Sequence, residues 1–109
     1  METKRYFKLV RDHVPAIITK AGHKPYVKSL DDEAYYLELR KKLQEEVDEF
    51  LSSDDDSELA DILEVIEAIV VAKGANMKAI RELQVAKAAS HGKFQNKMFL
   101  ERVEEEEAG

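Results

Sequence analysis

The sequence predicts an all-α fold: a helical bundle of about four helices in a single domain covering residues 1–109. Three observations predict it. Apolar residues recur at helical spacing over long windows, most clearly Tyr36, Leu39, Leu43, Val47 and Phe50. Breakers are scarce, with 4 Gly and 2 Pro, so the places where helices start and stop stand out. Hydrophobic residues are 44% of the chain and charged residues 37%, which suits a packed core under a charged surface and argues against disorder.

The first helix is expected over roughly residues 12–21. Asp12 stands as its cap, Pro15 sits in its first turn, and Val14, Ile17, Ile18 and Ala21 are spaced for one apolar face before Gly22 stops it. The segments on either side, near residues 5–10 and 25–30, read as short extended or β pieces: a small hairpin or simple arms. A long second helix follows, capped by Asp31 or Ser29 and running to about Ser52. The turn from Ser52 to Ser57 is rich in capping residues. Ser57 opens the third helix, with Leu59, Ile62, Val65, Ile66 and Ile69 facing inward, and it ends near Lys73-Gly74. The fourth runs from Asn76 to His91, carries Met77, Ile80, Leu83 and Val85, and stops at Gly92. Phe94, Met98, Phe99, Leu100 and Val103 follow among charged residues, and residues 104–109 read as a solvated acidic tail. No internal repeat or linker divides the chain.

Composition excludes several classes of function. Cysteine is absent, which removes disulfide scaffolds and Cys-ligated metal sites. Lys+Arg is 17 against Asp+Glu 23, a formal net charge of −6, so duplex nucleic acid is a poor partner. The longest apolar run, Ala68 to Ala72, is far short of the ~20 residues that span a bilayer, and no targeting signal is visible; a soluble cytoplasmic protein is expected. The third helix is apolar nearly all round, because Leu63, Val70 and Val71 point away from its main stripe at about 100° per residue. That pattern predicts a second subunit, as a homodimer or a dimer of dimers.

The acids carry the chemistry. With Leu43 at the centre of the second helix's stripe, Glu46 is turned about 60° from it and Glu49 about 120°. On the third helix Glu58 lies within about 40° of Ile62 and Asp61 about 100° from it. Each pair has i, i+3 spacing, so its members are neighbours. A short loop makes the two helices antiparallel, which brings all four acids to the same level. Converging carboxylates at the edge of an apolar core need cations, and oxygen ligands favour a hard divalent ion, with Mg²⁺ the best fit and Mn²⁺ its alternate. The competing reading is a solvated acidic face served by Arg40, Lys41 and Lys42, with Glu58 and Asp61 placed early in a helix for its dipole.

These acids, in the arrangement Glu46-x-x-Glu49 followed by Glu58-x-x-Asp61, resemble the signature of the MazG superfamily of all-α nucleoside triphosphate pyrophosphatases, which also contains phosphoribosyl-ATP pyrophosphohydrolase and the dimeric dUTPases. Lys8 to Ile18 is similar to the KLVRDKIPEII opening of a small, single-domain, house-cleaning branch of that superfamily. Lys87 to Phe94 is similar to the branch's Lys…Arg-Gly-Gly-Phe element, with His91 and Lys93 standing where arginine and glycine are usual. The resemblance implies a MazG-like bundle and a Mg²⁺-dependent hydrolase that splits a (noncanonical) nucleoside triphosphate between its α and β phosphates to give the monophosphate and pyrophosphate. It implies Glu46, Glu49, Glu58 and Asp61 as metal ligands, and Glu45 or Glu49 as the group that orients the attacking water. Lys8, Arg11, Lys87 and Lys93 become candidates for phosphate or nucleotide contacts, Arg as a bidentate partner and Lys as a point charge.

Two alternatives stand beside this reading: phosphoribosyl-ATP hydrolysis in histidine biosynthesis, and a noncatalytic acidic helical module that dimerises and regulates a partner. Asp12 is read as a cap before it is read as an orienter of Arg11. His13 and His23 are read as surface residues. Phe94, Tyr35 and Tyr36 are read as core before they are read as base-stacking groups.

Overall fold

The computed structural model describes residues 2–105; Glu106 and Glu107 of the expected acidic tail lie outside the described residues. The described residues form four helices and no strand: α1 (Val14–Lys20), α2 (Asp32–Ser53), α3 (Asp56–Ala72) and α4 (Met77–His91). The all-α expectation holds. The segments near 5–10 and 25–30 carry no β structure; the first turns at Phe7, φ 47°, and bends at Lys8. The chain falls into two compact units, Met1–Met77 and Lys78–Gly109.

Helix ends in the first unit follow local chemistry. The side chain of Asp31 accepts a hydrogen bond from the Ala34 backbone N–H at 2.8 Å and starts α2. Asp55 accepts from the Ser57 N–H at 2.9 Å and starts α3 one residue before the expected Ser57. Between them Asp54 turns the chain in the left-handed region, φ 57°, a conformation that Asp tolerates better than most residues. At Gly74, φ 79°, α3 ends in a Schellman arrangement: Gly74 N–H donates to Val71 O and Ala75 N–H to Val70 O. At the start of α1 the expectation fails. The capping position is His13, no side chain makes a capping bond, and Asp12 lies outside the helix. Pro15 in the first turn removes a donor that needs a cap, which lowers the demand for one.

Helices α2 and α3 pack on each other along an αα-hairpin closed by a two-residue connection. Leu39 from α2 and Val65 and Val70 from α3 are its buried apolar residues. Tyr36, Leu43, Val47 and Phe50 complete the α2 stripe as half-buried side chains, as do Ile62, Ile66 and Ile69 on α3. Two residues of α3 depart from the expected pattern. Val70 is buried rather than turned away, and Leu59 is 43% exposed rather than inward. Leu63 and Val71 do face solvent. The fourth buried residue of the described chain is a glutamate, Glu46, at 7% exposure.

In the second unit α4 is followed by an irregular segment, where Lys97 N–H donates to Phe94 O at 3.2 Å. Phe94 is 98% exposed and is therefore not a core residue.

No helix among the described residues is long and apolar enough to cross a membrane.

Candidate metal centre

The α2 stripe carries Glu46 into the hairpin interface, because three residues of helix after Leu43 return the chain to within about 60° of the same side. There it meets two acids from the first turns of α3. One carboxylate oxygen from each of Glu46, Glu58 and Asp61 lies within 4.8 Å of the others. Glu46 is buried, while Glu58 and Asp61 are half-buried. One oxygen of Glu46 and one of Glu58 are sealed from solvent with no hydrogen-bond donor. A buried carboxylate oxygen without a donor is costly, so the arrangement is short of positive charge.

The electrostatics agree. Burial pushes the Glu46 carboxyl above its ordinary value, and the nearby negative charge of Glu49 adds to the effect. Glu58 is pushed up to about 7, again by burial first and then by Glu49. In both groups the place disfavours the charged form, a cost that a bound cation would offset.

Glu49 itself is exposed on α2 and is not one of the three grouped acids; it acts on them as a flanking charge. Glu45 is engaged elsewhere. Lys8 Nζ donates to it at 2.9 Å and Lys42 Nζ at 3.5 Å. The hydrogen bond from Lys8 holds the Glu45 carboxyl below its ordinary range, and in return raises the Lys8 ammonium.

Cations from the N-terminal arm close the edge of the cluster. Arg11 Nη2 donates to Asp61 Oδ1 at 2.7 Å. Lys42 reaches Glu46 at 3.5 Å as well as Glu45, so one ammonium serves both acids. The sequence spacing predicts Lys42 as an i, i+4 partner of the acids on a solvated face; the contact to Glu46 forms, but there Glu46 is buried and Lys42 half-buried.

The remaining candidates are in other surroundings. Lys87 is exposed on α4 and Lys93 is exposed just beyond Gly92, both in the second unit. His13 and His23 are exposed, and Tyr35 and Tyr36 are half-buried on α2.

The three grouped acids fit a hard divalent ion. Their donors are all carboxylate oxygens, and two of the residues bring an oxygen with nothing to accept from. A spread of 4.8 Å is about the width of a six-coordinate shell with metal–oxygen distances of ~2.0–2.6 Å.

No family model matches the chain, and no solved structure matches it. A relative in Mycolicibacterium smegmatis, an uncharacterised protein, is 41% identical over 46 residues, which are 42% of this chain and 47% of that protein. The chain therefore spans about half the length of the relative it matches.

Proposed function

We propose that the protein is a MazG-like, Mg²⁺-dependent nucleotide pyrophosphohydrolase, with Glu46, Glu58 and Asp61 as the metal ligands and Glu49 as the flanking acid. The observation that supports it most is the burial of Glu46, at 7% exposure, with an unpartnered oxygen in a group of three acids from two helices. A solvated acidic face does not need such burial.

A bound ion would neutralise the triphosphate and acidify the water that attacks the α-phosphorus. The chain's own residues have simpler tasks. Glu46, Glu58 and Asp61 supply the negative charge that holds the ion. Glu49 is exposed beside them, where it can orient water. Glu45 is tied to Lys8 and Lys42 and is the weaker candidate for that task. Arg11 and Lys8, which reach Asp61 and Glu45 from the N-terminal arm, are the candidates in this unit for contact with phosphate oxygens. For Lys87 and Lys93 the phosphate role rests on the family resemblance alone.

The substrate class is a nucleoside triphosphate in a house-cleaning role, with phosphoribosyl-ATP as the alternative. A cytoplasmic setting accords with the absence of cysteine. The exposed Leu59, Leu63 and Val71 on α3 favour assembly as a homodimer or dimer of dimers, and they are also the observation behind the noncatalytic regulatory reading.

The test is pyrophosphate release from a panel of canonical and modified nucleoside triphosphates and phosphoribosyl-ATP, with Mg²⁺ or EDTA, beside Glu46→Gln. Release that requires metal and falls ~100-fold or more in the variant supports the enzyme. A folded protein that releases nothing, and whose melting ignores Mg²⁺, removes it and leaves the regulatory module.

A further inference from the structure

The same oxygen-rich cluster is already in contact with a cation of the chain. Arg11 lies in the arm before α1, 50 residues away in sequence from Asp61, and donates to its Oδ1 at 2.7 Å. The anchor is shallow: the two side chains are 57% and 38% exposed. Three residues earlier Lys8 makes a second exposed contact, to Glu45, which is outside the group of three acids. Exposed pairs of this kind are weak, and a dication drawn by three carboxylates outweighs one guanidinium on one of them. A dication and a guanidinium brought to one carboxylate also repel each other.

We propose that Arg11 is a displaceable positioning residue. It neutralises Asp61 while the metal is away, is expelled from Asp61 when a divalent ion binds, and is thereby freed to take phosphate oxygens of the anionic substrate at the edge of the same cluster. The guanidinium fork suits both partners, since carboxylate and phosphate present similar pairs of oxygens. Metal binding then precedes productive phosphate binding, because the arginine becomes available only after the ion has taken its place. The inference rests on the metal centre proposed above and adds an order of binding to it.

Calorimetric titration with Mg²⁺ alone separates the two. For Arg11→Ala, the ion should bind two- to fivefold tighter than to wild type, because its competitor is gone. Lys8→Ala, which removes an equal charge from Glu45, should change the affinity less. Inorganic pyrophosphate should then bind the Mg²⁺-loaded Arg11→Ala protein ~10-fold or more weakly than wild type, with Arg11→Lys recovering part of the loss. Unchanged or weaker Mg²⁺ binding in Arg11→Ala, or equal tightening in Lys8→Ala, overturns the displacement while the metal centre stands. A wild-type protein that takes up no Mg²⁺ removes the metal centre and the displacement together. Unchanged circular dichroism of the variants guards both comparisons.

Discussion

Two acidic regions lie within one hairpin, and they behave in opposite ways. The run Asp54-Asp55-Asp56 where the hairpin turns is the denser in charge, yet all three acids are exposed. Asp55 accepts from the Ser57 N–H, which holds its carboxyl below the ordinary range. Across the helix interface Glu46 and Glu58 are pushed the other way by burial, and each keeps an oxygen with no donor. Glu45 and Glu46 repeat the contrast in adjacent residues: the first is lowered by Lys8, the second raised by burial. Acidic composition therefore does not mark a site. What marks it is a carboxylate placed where the fold supplies neither water nor a donor.

The largest expected effect comes from breaking the packing that creates the second region. Leu39 is 3% exposed in the α2–α3 interface. Leu39→Ala should cost about 3 kcal/mol, or more than ~10 °C in melting temperature, read by thermal denaturation. A loss below ~1 kcal/mol would mean that α3 does not cover this face in solution.

A smaller effect sharpens the contrast between the two acidic regions. Mg²⁺ at 100 times its dissociation constant should stabilise wild type by about 2.7 kcal/mol. Glu58→Gln should abolish that response. Asp55→Ala should keep it while lowering the melting temperature by ~5 °C through loss of the helix cap. Equal Mg²⁺ responses in the two variants would erase the distinction.

The smallest effect is in pH. The Glu58 carboxyl stands at about 7 in the folded chain against 4.5 ordinarily, so folding takes up a proton. Its contribution to stability is full below the unfolded value and is lost as pH rises through about 7. Glu46 shifts in the same direction. Glu45, lowered, contributes above 4.5 and loses its contribution on acidification below that, outside this window. Metal-free protein should therefore melt lower at pH 7.5 than at pH 5.5, the slope should shrink in Glu58→Gln, and Mg²⁺ should stabilise more at the higher pH because its binding releases protons. A slope unchanged in Glu58→Gln would place the titrating group elsewhere.

Much of the hairpin was legible in advance. A cap for α2 at Ser29 or Asp31, of which the structure uses Asp31, the α2 stripe through Leu39, and Gly74 as the stop of α3 all follow from interactions within a few residues. The shoulder position of Glu46 followed from helical geometry too. The differences are tertiary. Helical phase places Val70 outward, off the Ile62 stripe, yet it is buried at 6%. The same phase places Leu59 inward, but it sits near the start of α3, where it remains exposed. Asp12 had the right residue type for a cap, and the capping position fell one residue later.

The sequence alone determined roughly where the four helices lie, and that Glu46, Glu58 and Asp61 would fall near one level of a helix pair. Periodicity and caps are local, and a short loop leaves two packed helices one mutual direction. Only the tertiary structure decided which acids are short of positive charge. Burial of Glu46 depends on the opposite helix, and the cations reach across 37 residues from Lys8 to Glu45 and 50 from Arg11 to Asp61. No local rule encodes pairs that distant, because their energy comes from the electrostatic environment made by folding and not from the spacing along the chain.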